Sequence, residues 1–180
     1  MKQIAPTYRD VSAMSQEIMA SSSDGLPDAP IMAVNTGNLM LIVPLNSASD
    51  LRRIHPDFAA IERISQDLDL IGYYVFSLET QNPGRDATVR MFAPHYGIPE
   101  ESATGMGAGT LACYLHDVLK INKKVFSIEQ GYFMEITAPS LLTAELETSD
   151  DGTILRLLEG GQGMVMDERL VELCARTPYP

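Results

Sequence analysis

Residues 99–115 read PEESATGMGAGTLACYL. Glu100 and Glu101 stand directly before two hydroxyls, Ser102 and Thr104, and three glycines, Gly105, Gly107 and Gly109, alternate into an apolar run. These residue types suit two kinds of chemistry. A carboxyl group whose pKa is raised by partial burial takes and returns protons near neutral pH. Backbone N–H groups at a helix start bind an anion, because the first turn has donors without intrahelical partners and the helix dipole favours negative charge there. Glycines clear side chains from that position, at a cost of up to about 1 kcal/mol each relative to alanine. Glu101 is a candidate proton-handling group, and Ser102, Thr104, Gly105, Met106 and Gly107 are candidates for holding a small anion. The same residues also fit a plainer arrangement, close helix–sheet packing with both glutamates solvated. The G-x-G-x-G pattern lacks the lysine of a P-loop and the spacing of a dinucleotide-binding turn, so a carboxylate-sized group suits it better than a triphosphate.

These groups need a framework that carries the helix start inside the protein. From Thr110 to Leu119 only His116 and Asp117 interrupt an apolar surface formed by Leu111, Ala112, Leu115, Val118 and Leu119. A helix apolar nearly all round is a buried one. The pattern predicts a central helix over about 104–119, capped by Ser102 or Thr104. Upstream, Val11, Met14 and Ile18 predict a helix over 8–20, and residues 21–30 a loop. Residues 31–45 read as two strands around Asn35-Thr36-Gly37-Asn38. Ser47 with Asp50 caps a short helix, and Pro56-Asp57 opens a second with Phe58, Ile61, Ile64 and Leu68 on one face. Both are expected on the outside of a sheet. Strands are expected at 71–79, 87–94, 124–130, 141–147, 153–158 and 163–166, broken by Gly131, Pro139, Asp151-Gly152 and Gly160-Gly161, with a last helix at 167–175. Strands with a few helices and no regular β–helix–β alternation predict an α+β fold.

Bulk properties exclude several function classes. The 180 residues favour one domain, 1–180. A net charge of −11 with scattered lysines and arginines argues against nucleic acid and anionic membranes. No window approaches the ~18 apolar residues of a membrane span, and MKQIAPTYRD has no signal-peptide core, so a cytoplasmic protein is expected. The two cysteines, Cys113 and Cys174, have no metal-ligand spacing. No metal site can be built from His55, His95 and His116 with nearby carboxylates. His116 reads as a satisfied core residue, His95 as a candidate supporting group near the site, His55 as exposed.

The segment Arg90-Met91-Phe92-Ala93-Pro94 … Gly97-Ile98 … Glu100-Glu101-Ser102-Ala103-Thr104-Gly105 resembles the R-x-F-x-P…G-x-x-E-D-P-A-T-G signature of the phenazine-biosynthesis, PhzF-like isomerases. Gln130-Gly131 with Pro139-Ser140 is similar to that family's Q-G…P-S element, and Thr36-Gly37 before Val43-Pro44-Leu45 to its T-G…P-L element. The resemblance spans about residues 30–165 and matches the second half of a family member. It implies a diaminopimelate-epimerase-like lobe, a curved mixed sheet or barrel around a central helix. It also implies proton transfer at carbon, with neither metal nor organic cofactor, on a small carboxylate-bearing substrate. The active cleft would lie where two such helix starts converge, so a second copy of the chain or a separate first-half chain would close it. The family's principal catalytic glutamate belongs to the first half and has no counterpart here. This leaves open a catalytically inactive binding or scaffold subunit that keeps the anion pocket.

Within the half that is present, Glu101 stands for the family's Asp and Ser102 for its Pro, while Glu135-Ile136-Thr137-Ala138 departs from the usual G-R before P-S. Cysteine-dependent relatives carry their catalytic Cys in the element aligned with Ser102–Gly105; a serine hydroxyl is a far weaker base, which argues against that mechanism. Arg90 matches the family's arginine and is a candidate to pair either with Glu100 or with substrate.

Overall fold

The computed structural model describes residues 5–11, 29–163 and 168–170. Its centre is a mixed sheet of nine strands. The edge strand β1 (Thr7–Asp10) pairs antiparallel with β2 (Met32–Asn35), which forms a hairpin with β3 (Leu39–Pro44). The hairpin turn is held by Asn35, whose side-chain oxygen accepts from the Gly37 N–H at 2.8 Å. Two helices follow. Ser47 caps α1 (Ala48–Arg53), accepting from Asp50 N–H at 3.0 Å, and Asp57 caps α2 (Phe58–Leu68), accepting from Ala60 N–H at 3.0 Å. They form the crossover to β4 (Gly72–Ser77), which runs parallel to β3.

From β4 the chain turns back antiparallel into β5 (Ala87–Ala93). A single 3-10 turn, Pro94–Tyr96, leads to β6 (Ile98–Glu101), then α3 (Gly105–Asp117), β7 (Val125–Gln130), β8 (Ser140–Thr148) and β9 (Ile154–Gly161). Beyond β4, β5 has two neighbours on its other edge. β6 lies antiparallel along Met91–Ala93 and β7 parallel along Ala87–Val89. The sheet therefore divides beside Arg90, and α3 leaves from the gap between β6 and β7.

Strand alternation sends neighbouring residues to two separate cores. Tyr74, Phe76, Val89 and Met91 face α3, where Leu111, Ala112, Cys113, Tyr114 and Leu115 are buried. Tyr73, Val75 and Phe92 face α1 and α2, with Leu51 and Ile64. Because both faces of β4 and β5 are covered, these strands are buried at every position; β8, covered on one face, alternates.

Most expected elements are present, and several differ. Residues 8–10 belong to β1 rather than to a helix, because the free edge of β2 supplies backbone partners that a local i, i+3 pattern cannot reveal; residues 12–20 lie outside the described residues. β6 has no sequence signature, since Ile-Pro-Glu-Glu lacks strand alternation and is extended by its pairing to β5. Gly160 and Gly161 extend β9 instead of ending it. The sheet is open, with β1 and β9 at its two edges, rather than closed as a barrel. Of the last two expected elements, 168–170 are neither helix nor strand, and 164–167 and 171–175 lie outside the described residues.

Candidate functional site

The division of the sheet determines which side chains reach the start of α3. Glu101 is opposite Met91 in the β5–β6 register, and Met91 belongs to the core beneath α3. Glu101 therefore points to the α3 face and Glu100 to the other.

Glu101 is held by a polar network built on Gln130, the last residue of β7, which is fully buried. The Gln130 amide oxygen accepts from the Tyr74 hydroxyl at 3.1 Å and from the Thr104 N–H at 3.2 Å. Its NH2 donates to the Glu101 carbonyl at 2.6 Å and to the Thr104 hydroxyl at 3.1 Å. All four hydrogen-bonding positions of the amide are used. Since the Thr104 oxygen accepts from Gln130, its own proton goes to Glu101 Oε2, at 2.7 Å. Thr104 occupies the N-cap position of α3, yet its hydroxyl orients Glu101 instead of capping the helix. The first intrahelical bond runs from Ala108 N–H to the Thr104 carbonyl, so the N–H groups of Gly105, Met106 and Gly107 have no intrahelical partner.

The glycines have distinct surroundings. A β-carbon added at Gly107 would lie 2.6 Å from Cδ2 of Tyr74, whose ring is the floor of the site. One added at Gly109 would lie 2.7 Å from the carboxyl carbon of Glu159 and 2.8 Å from Leu157, both on β9. Gly105 is open, its nearest neighbour being Glu159 Oε2 at 3.8 Å from such a carbon. The hairpin turn flanks the other side. Asn38 donates to the Met106 sulfur at 2.8 Å, and the hydroxyls of Thr36 and Thr110 share a 3.1 Å bond. The exposed Met106 is thus at the rim.

The structure brings Glu101, Thr104, Gly105, Met106 and Gly107 to one place, with the half-buried Ser102 beside them. It does not bring Arg90 there. The Arg90 guanidinium lies on the opposite face, 7% exposed, and forms a two-pronged pair with Glu100 at 2.8 Å in each prong. It also donates to the carbonyls of Leu51 and Ile54 at the end of α1, at 3.2 and 2.9 Å. These bonds tie α1 to the β5–β6 corner. Burial pushes the Cys113 thiol up to about 12, which leaves it no nucleophilic character near neutral pH; Cys174 lies outside the described residues. His95 is exposed and within 3.3 Å of Gln66. His116 pairs with Asp117 at 2.8 Å at the far end of α3, beside an open cavity of about 810 Å³ that Lys120, Lys124 and the Ser149–Thr153 turn also line. That cavity is a full helix length from Glu101. Among the described residues no group of three His, Cys, Asp or Glu side chains is placed to hold a metal ion, and no helix is long and apolar enough to cross a membrane.

Two residues of the site escape the motif reading. Gln130 is visible in the Q-G element, but only the fold shows its amide organising Glu101. Glu159 sits in a glycine-ended strand, is exposed, and carries no sequence signal that its carboxyl lies beside the helix at Gly109.

An open mixed sheet on a buried helix is the frame of a known class. The phenazine biosynthesis-like protein family (PhzC-PhzF) matches residues 1–169, and the chain belongs to it. It is 29% identical over 177 residues to the trans-2,3-dihydro-3-hydroxyanthranilate isomerase of Pseudomonas chlororaphis, covering 96% of this chain and 58% of that protein. It is 26% identical over 172 residues to the uncharacterized isomerase YfhB of Bacillus subtilis (strain 168), covering 95% and 57%. The crystal structure of a PhzF-family phenazine biosynthesis protein from Bacillus anthracis shares the fold, with a TM-score of 0.69, 20% identity, and coverage of 89% and 59%. The chain spans about half the length of the curated relatives it matches.

Proposed function

We propose that this chain, as a single-domain lobe of the family's second-half type, forms part of an isomerase. The reaction would move a proton between carbons of a small carboxylated molecule, using protein carboxyl groups in place of a metal or organic cofactor. The observation that carries the reading is the Tyr74–Gln130–Thr104–Glu101 network, which fixes a carboxylate at a helix start whose first three N–H groups have no partner among the described residues. In this reading Gly105, Met106 and Gly107 seat the substrate carboxylate, Ser102 and Thr104 border it, and Glu101 handles the proton. Arg90 acts by holding the corner that positions β6 rather than by touching substrate. A second copy of the chain or a separate first-half chain closes the cleft. The named activity of the Pseudomonas chlororaphis relative supplies the substrate class, a cyclic amino-carboxylate with a mobile double bond.

The test is deuterium incorporation from D2O into trans-2,3-dihydro-3-hydroxyanthranilate, followed by mass spectrometry, with the chain in its native assembly. Incorporation that falls by at least about 100-fold in Glu101→Gln supports the reading, since positioned acid–base groups contribute about 10²–10⁴-fold. Exchange unchanged in Glu101→Gln, or absent from this compound and a panel of related carboxylic acids, would overturn it. Carboxylate binding without exchange would assign the chain to a binding or scaffold role instead.

A further inference from the structure

Resting on the isomerase reading above, we propose that Glu159 is the second carboxyl group of the site, a proton donor that faces the bound substrate across the first turns of α3. Its placement follows from the strand register. Glu159 and Leu157 are opposite Ala144 and Leu146, two buried residues of the core beneath α3, so both lie on the α3 face of the edge strand β9, where Leu157 is half-buried and Glu159 is exposed. Gly109 admits the Glu159 carboxyl, for any side chain there would occupy the space of its carboxyl carbon, and Gly105 lies beside Oε2. The carboxyl is thus alongside the same helix turn whose N–H groups await an anion.

Its surroundings differ from those of the carboxylates with hydrogen-bond partners. Glu100 has Arg90, Glu101 has Thr104, and Asp117 has Tyr8 and His116. Glu129, almost fully buried, receives the N–H groups of Gln81 and Asn82 together with the Asn82 side chain. For Glu159 no hydrogen-bond donor is found among the described residues, and burial raises its pKa. The carboxyl is desolvated only on the side that lies against the helix at Gly109, and that side favours its protonated form. Glu101 and Glu159 both raise the pKa of the buried Tyr74 phenol beneath Gly107, which puts the two carboxyls within electrostatic reach of one floor residue.

The proton balance is simple. Ionised Glu101 takes a proton from one carbon of the substrate, the electron pair shifts through the adjacent double bond, and protonated Glu159 gives its proton to the carbon at the far end. Glu101 ends protonated and Glu159 ionised, and exchange with solvent restores both. Two carboxyls in different surroundings can divide the acid and base roles between them.

The experiment uses anthranilate, which retains the amino-carboxylate but, being aromatic, has no double bond that the proton transfer could shift. It is titrated into the assembled protein while the amide signals of Gly105–Gly107 and the side-chain carboxyl carbon of Glu159 are followed by NMR. The expected result is a shift of the glycine amides together with a displaced titration of the Glu159 carboxyl. Glu159→Gln, which preserves the fit against Gly109, should keep the amide shifts and lower deuterium exchange by at least about 100-fold. Amide shifts with an unmoved Glu159 titration, or full exchange in Glu159→Gln, would remove Glu159 from the site and leave the isomerase reading intact. No amide shift at all would overturn the anion seat, and this inference with it.

Discussion

Glu100 and Glu101 are adjacent in the chain and have opposite fates. Glu100 sits on the α1 face, locked to Arg90 in a buried, two-pronged pair that shares the guanidinium with two backbone carbonyls. Glu101 sits on the α3 face, held through one oxygen by Thr104 beside unpaired helix donors. One residue of strand register separates an architectural charge from the one proposed to handle the proton. A carboxylate that has met all of its donors has little left to offer a substrate, whereas one restrained at a single oxygen is positioned and keeps its other oxygen for a further partner.

The contrast can be broken from either side. The largest effect is expected for Arg90→Ala, which leaves Glu100 without its buried partner and α1 without its tie; a loss of about 3–5 kcal/mol is expected in urea unfolding. Gln130→Leu should cost about 1–3 kcal/mol for each group left unsatisfied, the Thr104 N–H and the Glu101 carbonyl being the first. It should also abolish exchange by releasing Glu101. A loss of stability below about 0.5 kcal/mol would show that Gln130 does not organise this corner. Gly107→Ala pushes a methyl into the Tyr74 ring and should cost about 1–3 kcal/mol by overpacking, read from the same unfolding curves.

A smaller effect follows from pH. The Glu159 carboxyl is raised in the folded protein, so the native state binds more protons than the unfolded one between the ordinary glutamate value and the raised one. Stability from this group is therefore present at low pH and declines as pH rises through that window. Urea midpoints measured from about pH 4 to about pH 7 should show that slope for the native chain and a flatter one for Glu159→Gln; parallel slopes would deny the raised pKa. The smallest change is expected for Glu147→Ala on the outer side of β8, which releases the half-exposed Arg156 with an effect below about 0.5 kcal/mol.

What was legible from residues alone was local. Ser47 and Asp57 cap their helices as their types suggest, and the Asn35–Asn38 turn joins β2 to β3. The apolar circumference of Leu111–Leu115 announced a buried helix, and its glycine-rich start announced close approach to something. Family-like motifs added the Thr36, Arg90, Glu101 and Gln130 neighbourhoods. Long-range pairings left no such mark. β1 and β6 are strands because β2 and β5 offer free edges, and neither carries a period-2 pattern of its own.

Helix propensity, capping chemistry and apolar periodicity act between residues a few positions apart, so the sequence determines them without reference to the rest of the chain. Register and facing act between residues tens of positions apart. Only the tertiary structure could decide that Arg90 goes to Glu100 and not to the site, that Gln130 rather than a hydroxyl meets the Thr104 N–H, and that Glu159 arrives from the sheet edge over Gly109. Each of those outcomes turns on which face a strand residue occupies, and a shift of one residue in pairing would reverse it.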